Sequence, residues 1–223
     1  MEILDGKIAA GRVDHLAADE AQIVTAIGLR GTGKTFFLRH YSATREPRRL
    51  SLDRLGDFSA GSEVYRENWR LGLERLATQR RAIWVRLVPP KRQGFEAWAD
   101  EVFTAILERE TPDGSDFQWD MLIVMDEAHR YGLQRVVATS PLAQAVLEGR
   151  HHGLRWLIGA QRMVDLPASI LNETTDLAVF EVTSPRDRKR LAEWTEEDAE
   201  DLVRELPPFH CLLWSPLGHR HKR

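Results

Sequence analysis

The segment Gly28-Leu29-Arg30-Gly31-Thr32-Gly33-Lys34-Thr35 has the spacing G-x-x-x-x-G-K-[ST], which suits one task, the holding of phosphate. Glycines let such a loop turn its backbone N–H groups inward around phosphate oxygens, in conformations a side chain would block. A helix beginning near Gly33 adds the partial positive charge of its N-terminus. Lys34 is then placed to reach the β- and γ-phosphates as a point charge, and Thr35 to offer its hydroxyl to Mg²⁺. Gly28, Arg30, Gly31, Thr32, Gly33 and Phe36 complete the expected contacts with the nucleotide.

A second segment, Met121-Leu122-Ile123-Val124-Met125-Asp126-Glu127, ends an apolar strand in two adjacent carboxylates. Open α/β sheets bind ligands at the carboxyl ends of their strands. Asp126 would hold Mg²⁺, directly or through water, and Glu127 would orient or deprotonate an attacking water. The following His129 and Arg130 read equally well as structural or functional. A third segment, Leu154 to Ala160, ends in the polar amide of Gln161. If its strand neighbours the one carrying Asp126, Gln161 lies beside the γ-phosphate, where an amide senses whether that phosphate is present. His151 and His152 do not read as a metal site, because adjacent helical residues point about 100° apart and no third ligand is evident.

Positioning these groups requires a sheet, and the hydrophobic pattern supplies one. Apolar, β-rich runs at 22–27, 49–52, 82–88, 121–125, 154–160, 178–183 and 210–214 alternate with helical patterns at 34–40, 64–78, 95–108, 141–151, 185–193 and 196–206. Most of the strand runs are apolar on both alternations, as strands covered on both faces are. The alternation predicts an α/β fold with a mostly parallel central sheet, a single domain over 1–216 and a short basic tail at 217–223.

Composition excludes several classes. Lys and Arg number 31 against 34 Asp and Glu, a net charge of −3, so nucleic acid is not bound by bulk charge and any polyanion contact is local. Loops 89–94, with Lys91 and Arg92, and 131–140, with Arg135, are the candidates for such contact. One cysteine, Cys211, rules out an intrachain disulfide and a multi-cysteine zinc site. No apolar run approaches the roughly 18 residues of a transmembrane helix. The start Met1-Glu2-Ile3-Leu4-Asp5 is acidic where a signal peptide is basic. The expectation is an intracellular, cytoplasmic protein.

Taken together the segments resemble the FtsK/HerA superfamily of P-loop motors. Beyond the two phosphate-site segments, the likeness includes Arg150-His151-His152-Gly153-Leu154, Gly159-Ala160-Gln161-Arg162, Asp165-Leu166-Pro167, Val179-Phe180-Glu181-Val182 and Ser184-Pro185-Arg186-Asp187. The resemblance implies a RecA-like three-layer fold, ATP with Mg²⁺, Lys34 and Thr35 at the phosphates, and Asp126 at the metal. It also implies Glu127 as catalytic carboxylate, Gln161 as sensor, and a ring of usually six identical subunits. Arg150 falls near the arginine that such rings offer to a neighbour's nucleotide, with Arg155 and Arg162 as competitors. In size the chain resembles the compact viral genome-packaging ATPases, which implies double-stranded DNA as cargo and a capsid or membrane vertex as docking partner. Alternatives remain within the superfamily, a secretion, conjugation or filamentous-phage assembly ATPase, and outside it, a nucleotide-dependent adaptor with negligible hydrolysis. Asp126-Glu127-Ala128-His129 also spells a helicase box, but such helicases need two RecA-like domains. The apolar 210–214 run after the last helices argues against an AAA+ lid.

Overall fold

The computed structural model describes residues 2–5, 23–45, 47–53, 56–58, 60–79, 81–90, 94–131, 133, 139–195, 203–204 and 206–214. Nine strands form one sheet among them, β1 (Glu2–Asp5), β2 (Ile23–Ile27), β3 (Arg48–Leu52), β4 (Glu63–Tyr65), β5 (Ile83–Leu87), β6 (Met121–Met125), β7 (Leu154–Ala160), β8 (Asp176–Val179) and β9 (His210–Trp214). Their order is β1-β9-β8-β2-β7-β6-β3-β5-β4. Every pairing is parallel except β8 with β9 and β9 with β1. The helices are α1 (Lys34–Arg45), α2 (Trp69–Thr78), α3 (Phe95–Leu107), α4 (Pro141–Glu148), α5 (Ala168–Glu173) and α6 (Pro185–Thr195).

The central strands are buried on both sides because both alternations are apolar. In β6, Met121, Ile123 and Met125 join the larger core with Trp98, Phe103 and Ile106 of α3 and Val146 of α4. Leu122 and Val124 face the other way, into a smaller core with Phe37, Leu38 and Tyr41 of α1. The result is three layers, helix, sheet and helix, as the alternation of patterns predicts. Cys211 is a fully buried member of the smaller core, and burial pushes its thiol up to about 12, so it is an inert packing group.

Several elements depart from expectation. Residues 64–78 do not form one helix. Val64 and Tyr65 add edge strand β4 to β5 (Val64↔Arg86, Tyr65↔Leu87), and the helix begins at Trp69. The amphipathic period of α2 is real, but two β-prone residues beside an open sheet edge find backbone partners there. The strand expected at 178–183 runs instead over Asp176–Val179, after which Phe180 N–H donates to Ile27 O at the end of β2 and Glu181 O accepts from Leu29 N–H of the phosphate loop. Strand β1 and helix α5 were not anticipated; β1 is completed only by antiparallel pairing with β9 (Ile3↔Leu212). Of the helix expected at 196–206, only Val203 and Arg204 are described as helical. Residues 196–202 and 205, Lys91, Arg92, Arg135 and the tail 217–223 lie outside the described residues. No helix among the described residues is long and apolar enough to cross a membrane.

Candidate active site

Strand order builds the site. β2 lies beside β7, β7 beside β6 and β6 beside β3, all parallel, so the residues that follow these four strands share one rim of the sheet. They line a cleft of about 880 Å³ that holds Arg30, Gly31, Gly33, Lys34, Thr35, Phe36, Asp126, Glu127 and Gln161.

The phosphate loop leaves β2 at Gly28, whose N–H donates to Ala160 O at 3.2 Å, while Leu29 N–H donates to Glu181 O at 3.1 Å. Thr32 turns its hydroxyl inward onto Leu29 O at 2.8 Å. Gly33 has φ +106, in the region that favours glycine, and Phe37 N–H already donates to Gly33 O at 3.0 Å, so the helix starts immediately. Thr35 Oγ1 donates to Asp126 Oδ2 at 2.7 Å across 91 residues of chain, and Lys34 Nζ stands 3.7 Å from Asp126 Oδ1. A threonine hydroxyl on the first turn of α1 and an aspartate at the end of β6, partly buried together, are the hard oxygen donors that Mg²⁺ takes.

Glu127 follows with φ +52, a backbone conformation that non-glycine residues rarely hold. Its N–H donates to Asp126 Oδ1 at 2.8 Å. Its side chain is gripped on both oxygens: Gln161 Nε2 donates to Oε1 at 2.9 Å, and Arg130 forms an ion pair with Oε2. The structure thus brings Lys34, Thr35, Asp126, Glu127 and Gln161 into one cluster, with Gln161 touching the carboxylate directly. Arg130, left open by the sequence, belongs to the site. Its position three residues after Glu127 on a short 3₁₀ turn was the available signal.

Gly159 allows β7 to lie this close. A Cβ there would fall 2.5 Å from Asp126 Oδ1 and 2.8 Å from Leu38 Cδ1. Gly159→Ala is expected to cost about 1–3 kcal/mol through overpacking and to displace Asp126; a denaturant midpoint equal to wild type would show that the strand yields instead.

The sequence reading missed the far wall of the cleft. Asp53, after β3, accepts from the N–H groups of Gly56 at 3.0 Å and Phe58 at 2.8 Å, with Arg86 Nε at 3.4 Å. It obeys the same strand-end rule that pointed to Asp126, and that rule could have found it. Asp57 lies nearby; burial, then the adjacent Asp53 carboxylate, raise its pKa above the usual range, against the opposing pull of Arg39. Phe95 and Tyr131 close this side, Tyr131 donating its hydroxyl to Leu52 O at 3.0 Å.

Arg150 is not in this cleft. It is exposed on the 3₁₀ turn Gly149–His152, ahead of β7, at the opposite end of that strand from Gln161. Its competitors are engaged within the subunit. Arg155 pairs with Asp120 at 3.1 Å, and Arg162 with the buried Asp187 at 3.1 Å.

No protein-family model matches the chain. A probable helicase of Methanocaldococcus jannaschii is 30% identical over 95 residues, 42% of this chain; the chain spans only 18% of that protein's length. Among solved structures, the genome-packaging NTPase B204 of Sulfolobus turreted icosahedral virus 2, in complex with AMPPCP, superposes with a TM-score of 0.70 at 16% identity. That match covers 89% of this chain and 94% of the viral one. B204 of Sulfolobus turreted icosahedral virus, described as a DNA-packaging ATPase, gives 0.63 at 19% identity, covering 88% and 93%. ATPases 2 and 3 of EssC from Geobacillus thermodenitrificans give 0.51 at 12%, covering 89% of this chain and 38% of that one. The chain thus shares the three-layer α/β fold of these P-loop ATPases.

Proposed function

We propose that the chain is an ATP-hydrolysing motor that moves double-stranded DNA, packaging a viral genome into a capsid. The observation that carries the reading is the cluster at one rim of the sheet, Lys34, Thr35 and Asp126 beside a Glu127 that is held by Gln161 and Arg130. Lys34 and the loop N–H groups neutralise the phosphates. Thr35 and Asp126 would hold Mg²⁺, which when bound supplies charge stabilisation at the phosphate oxygens. Glu127 orients a water in line with the γ-phosphorus and takes its proton as the bond to the β-phosphate oxygen breaks, releasing ADP and phosphate. Hydrolysis requires Glu127 Oε2 to exchange its ion pair with Arg130 for that water. Gln161, bonded to Oε1, is placed to couple the arrival of a γ-phosphate to this exchange. Most of the rate acceleration asked of these groups is positioning and electrostatics.

The fold shared with packaging ATPases over nearly the whole of both chains supports a packaging cargo, and the exposed Arg150 supports a ring in which each site is completed by its neighbour. A homo-oligomeric ring, a hexamer, docked at a capsid or membrane vertex is the assembly this reading implies. The test is ATP turnover with and without duplex DNA. Stimulation by DNA is expected. Turnover that ignores DNA favours a secretion, conjugation or filamentous-phage assembly ATPase that moves another cargo, and no turnover favours a nucleotide-dependent adaptor.

DNA held through phosphates releases counterions, so its affinity falls steeply with salt and varies little with sequence. Competition between unrelated duplexes at two salt concentrations is expected to show both. A preference for one sequence that survives high salt would instead mark a base-reading protein.

A further inference from the structure

Among the described residues four large apolar side chains are exposed, Phe36, Val64, Leu71 and Phe209. Two of the four, Phe36 at 51% and Phe209 at 53%, line the phosphate-loop cleft. Phe209 is also strained. His210 N–H donates to Pro207 O at 3.1 Å, closing the turn Pro207-Pro208-Phe209-His210, and Phe209 has φ +65. Proline second and a positive φ third is the pattern of a type II turn, whose third position normally belongs to glycine or asparagine. A bulky aromatic residue kept in that conformation, with half its surface in solvent, gains little burial in return. Local packing does not account for it, and strain beside a ligand cleft points to binding.

Topology says what would bind there. β9 runs antiparallel to β8 (Val179↔Leu212, Leu177↔Trp214), so its first residue lies at the carboxyl end of the parallel strands. That reversal alone brings Phe209 to the rim, where its Cδ1 stands 3.6 Å from the Cβ position of Gly33. In the order β9-β8-β2-β7-β6, Phe209 is on the side of the phosphate loop away from Glu127 and Gln161. A nucleotide whose terminal phosphate faces those two groups directs its base the other way. Phe36 follows Thr35 directly on the first turn of α1, with its ring stacked on His40, centroids 6.3 Å apart at 11°.

We propose that Phe36 and Phe209 form an aromatic clamp for the purine base of the bound nucleotide. The proposal rests on the nucleotide-binding reading given above. Phenyl rings present π faces and no hydrogen-bonding groups, so this pair holds a purine by stacking and does not distinguish adenine from guanine.

The decisive variant is Phe209→Gly, tested by equilibrium binding of Mg²⁺-ATP and of Mg²⁺-tripolyphosphate, which has the phosphates without the base. Base–aromatic stacking is worth roughly 5- to 150-fold in affinity. ATP affinity is expected to fall about tenfold or more, tripolyphosphate affinity to stay at wild type, and the melting temperature to hold or rise, since glycine suits φ +65. Phe36→Ala should weaken ATP in the same selective way. Unchanged ATP affinity in Phe209→Gly overturns the clamp. So does an equal loss of both ligands, with or without a lower melting temperature, which marks the residue as structural. A wild-type protein that binds tripolyphosphate as tightly as ATP overturns the clamp while the phosphate loop stands. One that binds neither overturns the nucleotide reading as well.

Discussion

Rings made of Arg150→Ala subunits are expected to hydrolyse ATP about 10³- to 10⁵-fold more slowly than wild type while binding it with nearly unchanged affinity. Arg150 stands before Leu154, and the seven residues of β7 separate it from Ala160 by about 20 Å at roughly 3.3 Å per residue. From there it does not reach its own γ-phosphate, and it forms no ion pair among the described residues. Arg155 and Arg162, by contrast, are held by Asp120 and Asp187. An exposed guanidinium with no ion-pair partner among the described residues is suited to a neighbour's phosphate. Mixing subunits separates this role from a surface one. Glu127→Gln keeps the shape of the carboxylate but takes no proton, so it should bind ATP and turn over at least about a hundredfold more slowly. In rings that combine Arg150→Ala with Glu127→Gln subunits, some interfaces pair an intact Glu127 with an intact neighbouring Arg150, and activity absent from both parents should return. Mixed rings that form yet stay inactive, or an Arg150→Ala protein that is active alone, would remove Arg150 from the mechanism and turn attention to Arg162 and Arg155.

Lys34→Ala is expected to abolish nucleotide binding altogether. Lys34 is 5% exposed and its ammonium stands 3.7 Å from Asp126 Oδ1, with the Asp126 carboxylate also accepting from Thr35 and from the Glu127 N–H. Removing it takes away the cation that offsets the phosphates in the ground state as much as in the transition state, and it leaves Asp126 and Glu127 facing a polyphosphate. Equilibrium binding of a labelled ATP analogue reads this directly. Micromolar binding by Lys34→Ala would mean that the loop N–H groups suffice and that Lys34 acts on the reaction alone. The contrast with Glu127→Gln is the informative part, since one substitution should remove the complex and the other should trap it.

Much of this was legible in the sequence because it is local. The phosphate loop is eight consecutive residues whose glycines, lysine and threonine do their work through the backbone they build, so their spacing suffices. The central strands announced themselves by being apolar on both alternations, and β6, β7 and β9 begin and end where that pattern does. Asp126 and Glu127 were identifiable because they sit directly at the end of such a strand.

What the sequence did not contain was the order of the strands. Gln161 meets Glu127, 34 residues away, and Thr35 meets Asp126, 91 residues away, because β7 inserts between β2 and β6. Periodicity names an element and its buried faces, but lateral order is decided by which elements together cover the sheet, a property of the whole chain. The same non-local pairing drew Val64 and Tyr65 into an edge strand where their own period read as helix, placed Asp53 on the far wall of the cleft, and engaged Arg155 and Arg162 while leaving Arg150 exposed. It also turned β9 antiparallel, which carries Phe209 from the end of the chain to the mouth of the phosphate loop. The chemistry was written in short contiguous segments; the distances that let those segments act on one substrate were set by the burial of the two cores.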